Sequence, residues 1–138
     1  MVERIFIGLL ALAGFLISLY FTVVHRKPIP AIERYVPTVC RIDPATCASL
    51  LATPEARLFG IPNFHLGLLF YTGLIGSVLL SNVWRQLHLM LFLGSLVTVL
   101  MGGYLTYVLL VRWKVRCTLC LASHAINLLM FLLLLVTV

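Results

Sequence analysis

Charge is scarce in this chain. Ten lysines and arginines and four acidic residues leave 10% of the 138 residues charged, against about a quarter in soluble domains. A chain that is 62% hydrophobic and so poor in charge cannot cover itself with a water-facing surface, so a membrane protein is the first expectation. Other things are missing too. There is no flavin, haem or nucleotide motif, no internal repeat, and no low-complexity segment beyond a leucine-rich tail. The first apolar run lacks a small-residue cleavage site and is too long for a signal peptide, so it is expected to stay as a membrane span. No soluble domain is expected beside the membrane bundle.

The charge that is present is mostly basic, with a net +6. Most of the basic residues flank apolar runs. That placement fits membrane orientation and contact with anionic headgroups, and nucleic-acid binding is not expected.

Four apolar runs have about the length a bilayer requires. They extend roughly over Ile5–Val24, Pro62–Leu80, Leu87–Val111 and Cys117–Val138. His25, Arg26, Lys27, Pro28 and Pro30 end the first. Pro62 suits the first turn of the second. A short turn carrying Arg85 is expected over Ser81–Gln86, and Arg112–Arg116 forms the last link. The expected fold class is therefore all-α: a single-domain integral membrane bundle of four transmembrane helices, with a cysteine-bearing loop over 25–61. In that loop, Asp43-Pro44 and Thr53-Pro54-Glu55 are helix-start signatures. Two short helical pieces follow from them, near Pro44–Ala52 and Pro54–Leu58. Leu50, Leu51, Leu58, Phe59 and Ile61 would let these pieces lie on the bundle mouth as a lid.

Four spans place the first loop and the third link on one membrane face. All four cysteines, Cys40, Cys47, Cys117 and Cys120, thus gather there. Burial alone would scatter them through the helices, so the clustering points to chemistry. Cys117-Thr118-Leu119-Cys120 is a Cys-x-x-Cys motif whose residues share a helix face. It opens the last span, where the helix N-terminus stabilises a thiolate, and Arg116 and Lys114 add positive charge. Both effects favour thiol–disulfide exchange. A structural disulfide or a metal site are the alternatives for this motif. Cys40 and Cys47 are separated by six residues, wider than the usual zinc-ligand spacing of about two to four, so no metal is expected. Cys40 in irregular chain and Cys47 on the lid suit a shuttle.

Electrons arriving at Cys117 and Cys120 need an acceptor. A membrane-dissolved quinone held between the helices is the natural one. Asn63 opens the second span at the same membrane level, and His124 lies one turn past Cys120. Either is placed to donate a hydrogen bond to a quinone carbonyl. Helix-packing glue is the competing role for both, and the favoured one for His65, Ser123 and Asn127.

The spaced cysteine pair after the first span, then Phe59-Gly60-Ile61-Pro62-Asn63, Gly67-Leu68-Leu69-Phe70-Tyr71 and Cys117-Thr118-Leu119-Cys120, together resemble the vitamin K epoxide reductase family in its short prokaryotic and archaeal form. The resemblance covers nearly the whole chain. It implies a four-helix bundle around a quinone (menaquinone, ubiquinone or similar) and a lid helix. It also implies disulfide generation, with electrons passing from a thioredoxin-like partner through Cys40 and Cys47 to Cys117 and Cys120, and then to the quinone. By the same resemblance Cys120 faces the quinone, Cys117 exchanges with Cys47, Cys40 meets the partner, and Asn63 is a quinone ligand. His124 stands where some relatives have tyrosine, which loosens its assignment. Many bacterial relatives have a fifth span and a fused thioredoxin-like domain, which this sequence lacks, so a separate partner chain is expected. Nothing in the residues points to epoxide chemistry. Two alternatives stand beside this reading. One is a DsbB-like quinone reductase, in which the order of the cysteine pairs is reversed. The other is a non-enzymatic membrane scaffold with structural disulfides.

The orientation expectation comes from charge. The cysteine face carries Arg26, Lys27, Arg34, Arg41, Arg57, Arg112, Lys114 and Arg116, and the other face only Arg4 and Arg85. By the positive-inside rule the cysteines of this multi-pass plasma-membrane protein face the cytoplasm, the reverse of the family's usual outer-face placement. Cytosolic disulfide formation makes sense in hyperthermophiles. The scarcity of amides, with three Asn and one Gln, is in keeping with such a source.

Overall fold

A computed structural model describes residues 1–26, 54, 57–114 and 118–137, without the side chains of 24–26, 81–84 and 118. Among these residues there are four α-helices. Helix α1 spans Val2–Arg26. A minimal antiparallel hairpin, β1 (Arg57–Leu58) and β2 (Ile61–Pro62), leads into α2, Asn63–Leu79. Helix α3 covers Ser81–Tyr107 and continues as a π-helical turn over Val108–Arg112. Helix α4 covers Thr118–Thr137.

Three segments are long and apolar enough to cross a membrane: Val2–Val23, Arg85–Arg112 and Leu119–Thr137. Helix α2, with 17 residues, is about 25 Å long at 1.5 Å per residue, at the lower limit of a spanning helix. It is apolar along most of its length. The chain is thus an all-α membrane bundle.

Helix α1 packs chiefly on α2, and α3 on α4; α1 meets α4 and α2 meets α3 along lighter seams. The buried cluster comprises Ile7, Ala11, Tyr71, Leu74, Leu91, Met130 and Leu134. These residues come from the start of α1, the end of α2, the start of α3 and the end of α4. The dense half of the bundle therefore lies away from the cysteine-bearing end. Leu9, Leu12 and Leu16 on α1, and Leu132 and Leu135 on α4, are exposed; in a bilayer these faces meet lipid. Lipid tails are as apolar as leucine, so helix association here depends on close packing and buried polar contacts rather than on escape from water. Gly14 shows the closeness: a Cβ there would fall within the Tyr71 ring. Several serine and threonine hydroxyls inside the apolar bundle are satisfied by their own helices, as in Thr22 to the Ser18 carbonyl at 2.8 Å and Ser77 to the Leu74 carbonyl at 2.7 Å, which keeps polar groups paired in an apolar surround.

Two local expectations are corrected. The turn expected over Ser81–Gln86 is helical, and the chain reverses instead at Leu80, whose backbone is extended (φ −102°, ψ 91°). Of the helical piece expected over Pro54–Leu58, Pro54 lies in a 3-10 turn, but Arg57 and Leu58 form a strand. The hairpin turn that follows has positive φ at both Phe59 (53°) and Gly60 (79°), the pattern of a type I′ turn. The expected lid piece over Pro44–Ala52, with Leu50 and Leu51, lies outside the described residues.

Candidate functional site

A cavity opens between the helices in the half of the bundle nearer the cysteine-bearing end. The space it encloses, together with the open space at its mouth, is about 800 Å³. All four helices line it. Phe21, Phe64, Leu105, Leu109 and Trp113 supply apolar wall. Ser18, Asn63, Thr98, Ser123, His124 and Asn127 supply polar groups, and the half-buried Cys120 supplies a sulfur.

Helix periodicity explains the gathering. On α4, Cys120, His124 and Asn127 follow at i, i+4 and i+7 and share one face. On α2, Asn63, Gly67 and Tyr71 do the same at i, i+4 and i+8. Pro62, at φ −56°, precedes the first residue of α2 and has the fixed backbone suited to a helix start, which puts Asn63 at the rim. On α3 the π-helical turn closes with the Trp113 amide on the Val108 carbonyl at 3.0 Å. A π-turn rotates less per residue than an α-turn, so Leu105, Leu109 and Trp113, four residues apart, stay on the cavity side. Gly102 leaves room for the His124 ring, since a Cβ there would lie 2.9 Å from Nδ1.

At the inner end of the cavity the Tyr71 hydroxyl donates to Asn127 Oδ1, joining α2 to α4. Tyr71 is 1% exposed and Asn127 8%. Tyr71 is itself part of the buried cluster, so the pair marks where the cavity meets it.

Of the residues singled out from sequence, Asn63, Cys120 and His124 line one cavity. Cys40, Cys47 and Cys117 lie outside the described residues. Sequence reasoning missed Tyr71, Thr98 and Trp113 as cavity residues and favoured a packing role for Ser123 and Asn127, which also line it. The signal for Tyr71 and Asn127 was present in the helical stripes starting from Asn63 and Cys120; the π-turn that brings in Trp113 leaves no such signal.

A four-helix membrane bundle with a cysteine sulfur and a few polar groups on an apolar cavity defines a membrane-embedded thiol site. The model of the vitamin K epoxide reductase family matches residues 5–135, nearly the whole chain, and the protein belongs to that family. It is accordingly a membrane oxidoreductase. No curated protein matches it.

Proposed function

We propose that this protein generates disulfide bonds at the expense of a membrane quinone. The observation that carries this reading is the convergence of Cys120, His124 and Asn63 on a single, mostly apolar cavity within the bundle. The cavity suits a quinone headgroup by its aromatic and aliphatic walls and by its few hydrogen-bonding groups able to meet carbonyl oxygens.

When bound, a quinone supplies an acceptor for two electrons and two protons. The dithiol of Cys117 and Cys120 supplies both. Its two S–H bonds break, the Cys117–Cys120 disulfide forms, and the quinone leaves as quinol. The thiols of Cys47 and Cys40 then exchange with that disulfide. This regenerates the Cys117–Cys120 dithiol and leaves Cys40–Cys47 oxidised. A thioredoxin-like dithiol attacking at Cys40 completes the cycle and departs as a disulfide. Asn63 at the rim and His124 one turn below Cys120 hold the quinone carbonyls by hydrogen bonds. The basic excess on the cysteine face orients that face to the cytoplasm.

Anaerobic turnover tests the reading. Purified protein, a reduced thioredoxin-like protein and a quinone should yield one quinol per partner disulfide formed. Partner oxidation with no quinol formed contradicts it.

A further inference from the structure

The hydrogen bond at the inner end of the cavity has a direction. A tyrosine hydroxyl carries a single proton, and that of Tyr71 is given to Asn127 Oδ1. With the Asn127 carbonyl occupied, the amide NH₂ is what this side chain has to offer an occupant of the cavity it lines. Side chains on a helix lean toward its N-terminus, which for α4 is the end bearing Cys120. Asn127 therefore leans back from the dense floor toward the cavity. A carboxamide with one face committed and the other on an apolar cavity is a selective donor, because a ligand that brings no acceptor leaves a buried N–H unmet.

We propose that Asn127, oriented by Tyr71, donates an amide hydrogen bond to the inner carbonyl oxygen of the bound quinone. Tyr71 is the positioning residue, acting through Asn127. The inference deepens the proposed function and rests on it. Asn63 at the rim and Asn127 at the floor then bracket the headgroup along the depth of the cavity. Beyond Tyr71 the bundle is packed with the buried side chains of Ile7, Ala11 and Leu74.

The test is infrared difference spectroscopy on the purified protein with carbonyl-¹³C-labelled 2-methyl-1,4-naphthoquinone, together with the dissociation constant of that quinone. In the wild type both carbonyl bands should be lowered by their donors. In Asn127→Leu the band of the inner carbonyl should rise toward the free-quinone frequency while the other stays, and the dissociation constant should rise roughly five- to tenfold, the loss of one hydrogen bond. Tyr71→Phe keeps the amide but frees its orientation, so its shift should be intermediate. If Asn127→Leu does not fold, Tyr71→Phe decides alone. Wild-type bands and affinity in whichever variant folds overturn the inference. Should quinone be reduced in a Cys120-dependent manner with those bands unchanged, only this inference fails; should the wild type bind no quinone, it fails together with the proposed function.

Discussion

Tyr71 on α2 and Asn127 on α4 are joined by a hydrogen bond across the bundle, from the phenol hydroxyl to the amide carbonyl. Neither helix is a principal packing partner of the other, so this contact ties the α1–α2 pair to the α3–α4 pair at the level where the cavity ends. Tyr71→Phe should lower stability by about 1 kcal/mol, the scale of a polar contact between membrane helices. Reversible unfolding in detergent measures it.

Gly14 lets α1 close on the Tyr71 ring. Gly14→Ala should cost about 1–3 kcal/mol through overpacking, because the Cβ would lie within 2.7 Å of three atoms of the Tyr71 ring. Gly76→Ala, with nothing within 4 Å of its Cβ, is the control and should be neutral or stabilising by up to about 1 kcal/mol from helix propensity. Equal loss in both variants contradicts the packing described.

Gly102→Ala should displace the His124 ring, whose Nδ1 lies 2.9 Å from the added carbon. Quinone affinity should fall while the fold persists. Gly103→Ala, facing open space, should bind quinone as the wild type does. Titration of both variants with one quinone checks this.

The spans, and the fact that Asn63, Cys120 and His124 stand near one level, were legible from hydropathy and span counting. The start of α3 was not. Ser81, Asn82, Arg85 and Gln86 are polar enough to suggest a turn, yet one extended residue, Leu80, suffices to reverse the chain, and the polar residues then wind as helix. The hairpin at Arg57–Pro62 was hidden because a bulky Phe59 occupies a positive-φ position where glycine or asparagine is the usual sign. The Tyr71–Asn127 bond joins residues 56 positions apart. Each lies on a visible stripe, but helical period says which face a residue takes and not which partner it meets across a bundle.

For the relay, Cys47→Ser should trap a thioredoxin-like partner as a mixed disulfide on Cys40, because the resolving thiol is gone. Cys40→Ser should block partner oxidation yet leave some oxidation of a small dithiol able to reach Cys117. Peptide mapping of the trapped species decides; a mixed disulfide found only on Cys47 reverses the two roles.

For orientation, a membrane-impermeant thiol reagent applied to intact cells after mild reduction should leave Cys40 unlabelled, and permeabilisation should expose it. Labelling of intact cells places the cysteine face outside. Moving the basic excess to the termini and to Ser81–Gln86 should invert the protein.

The most direct measurement of the central claim is the rate at which purified protein reduces a quinone with a dithiol donor, compared with Cys120→Ser. Cys120 lines the cavity, and without its sulfur no Cys117–Cys120 disulfide can form. Steady quinone reduction by the wild type and none above background in Cys120→Ser is the predicted result. Undiminished quinone reduction in Cys120→Ser would contradict the account.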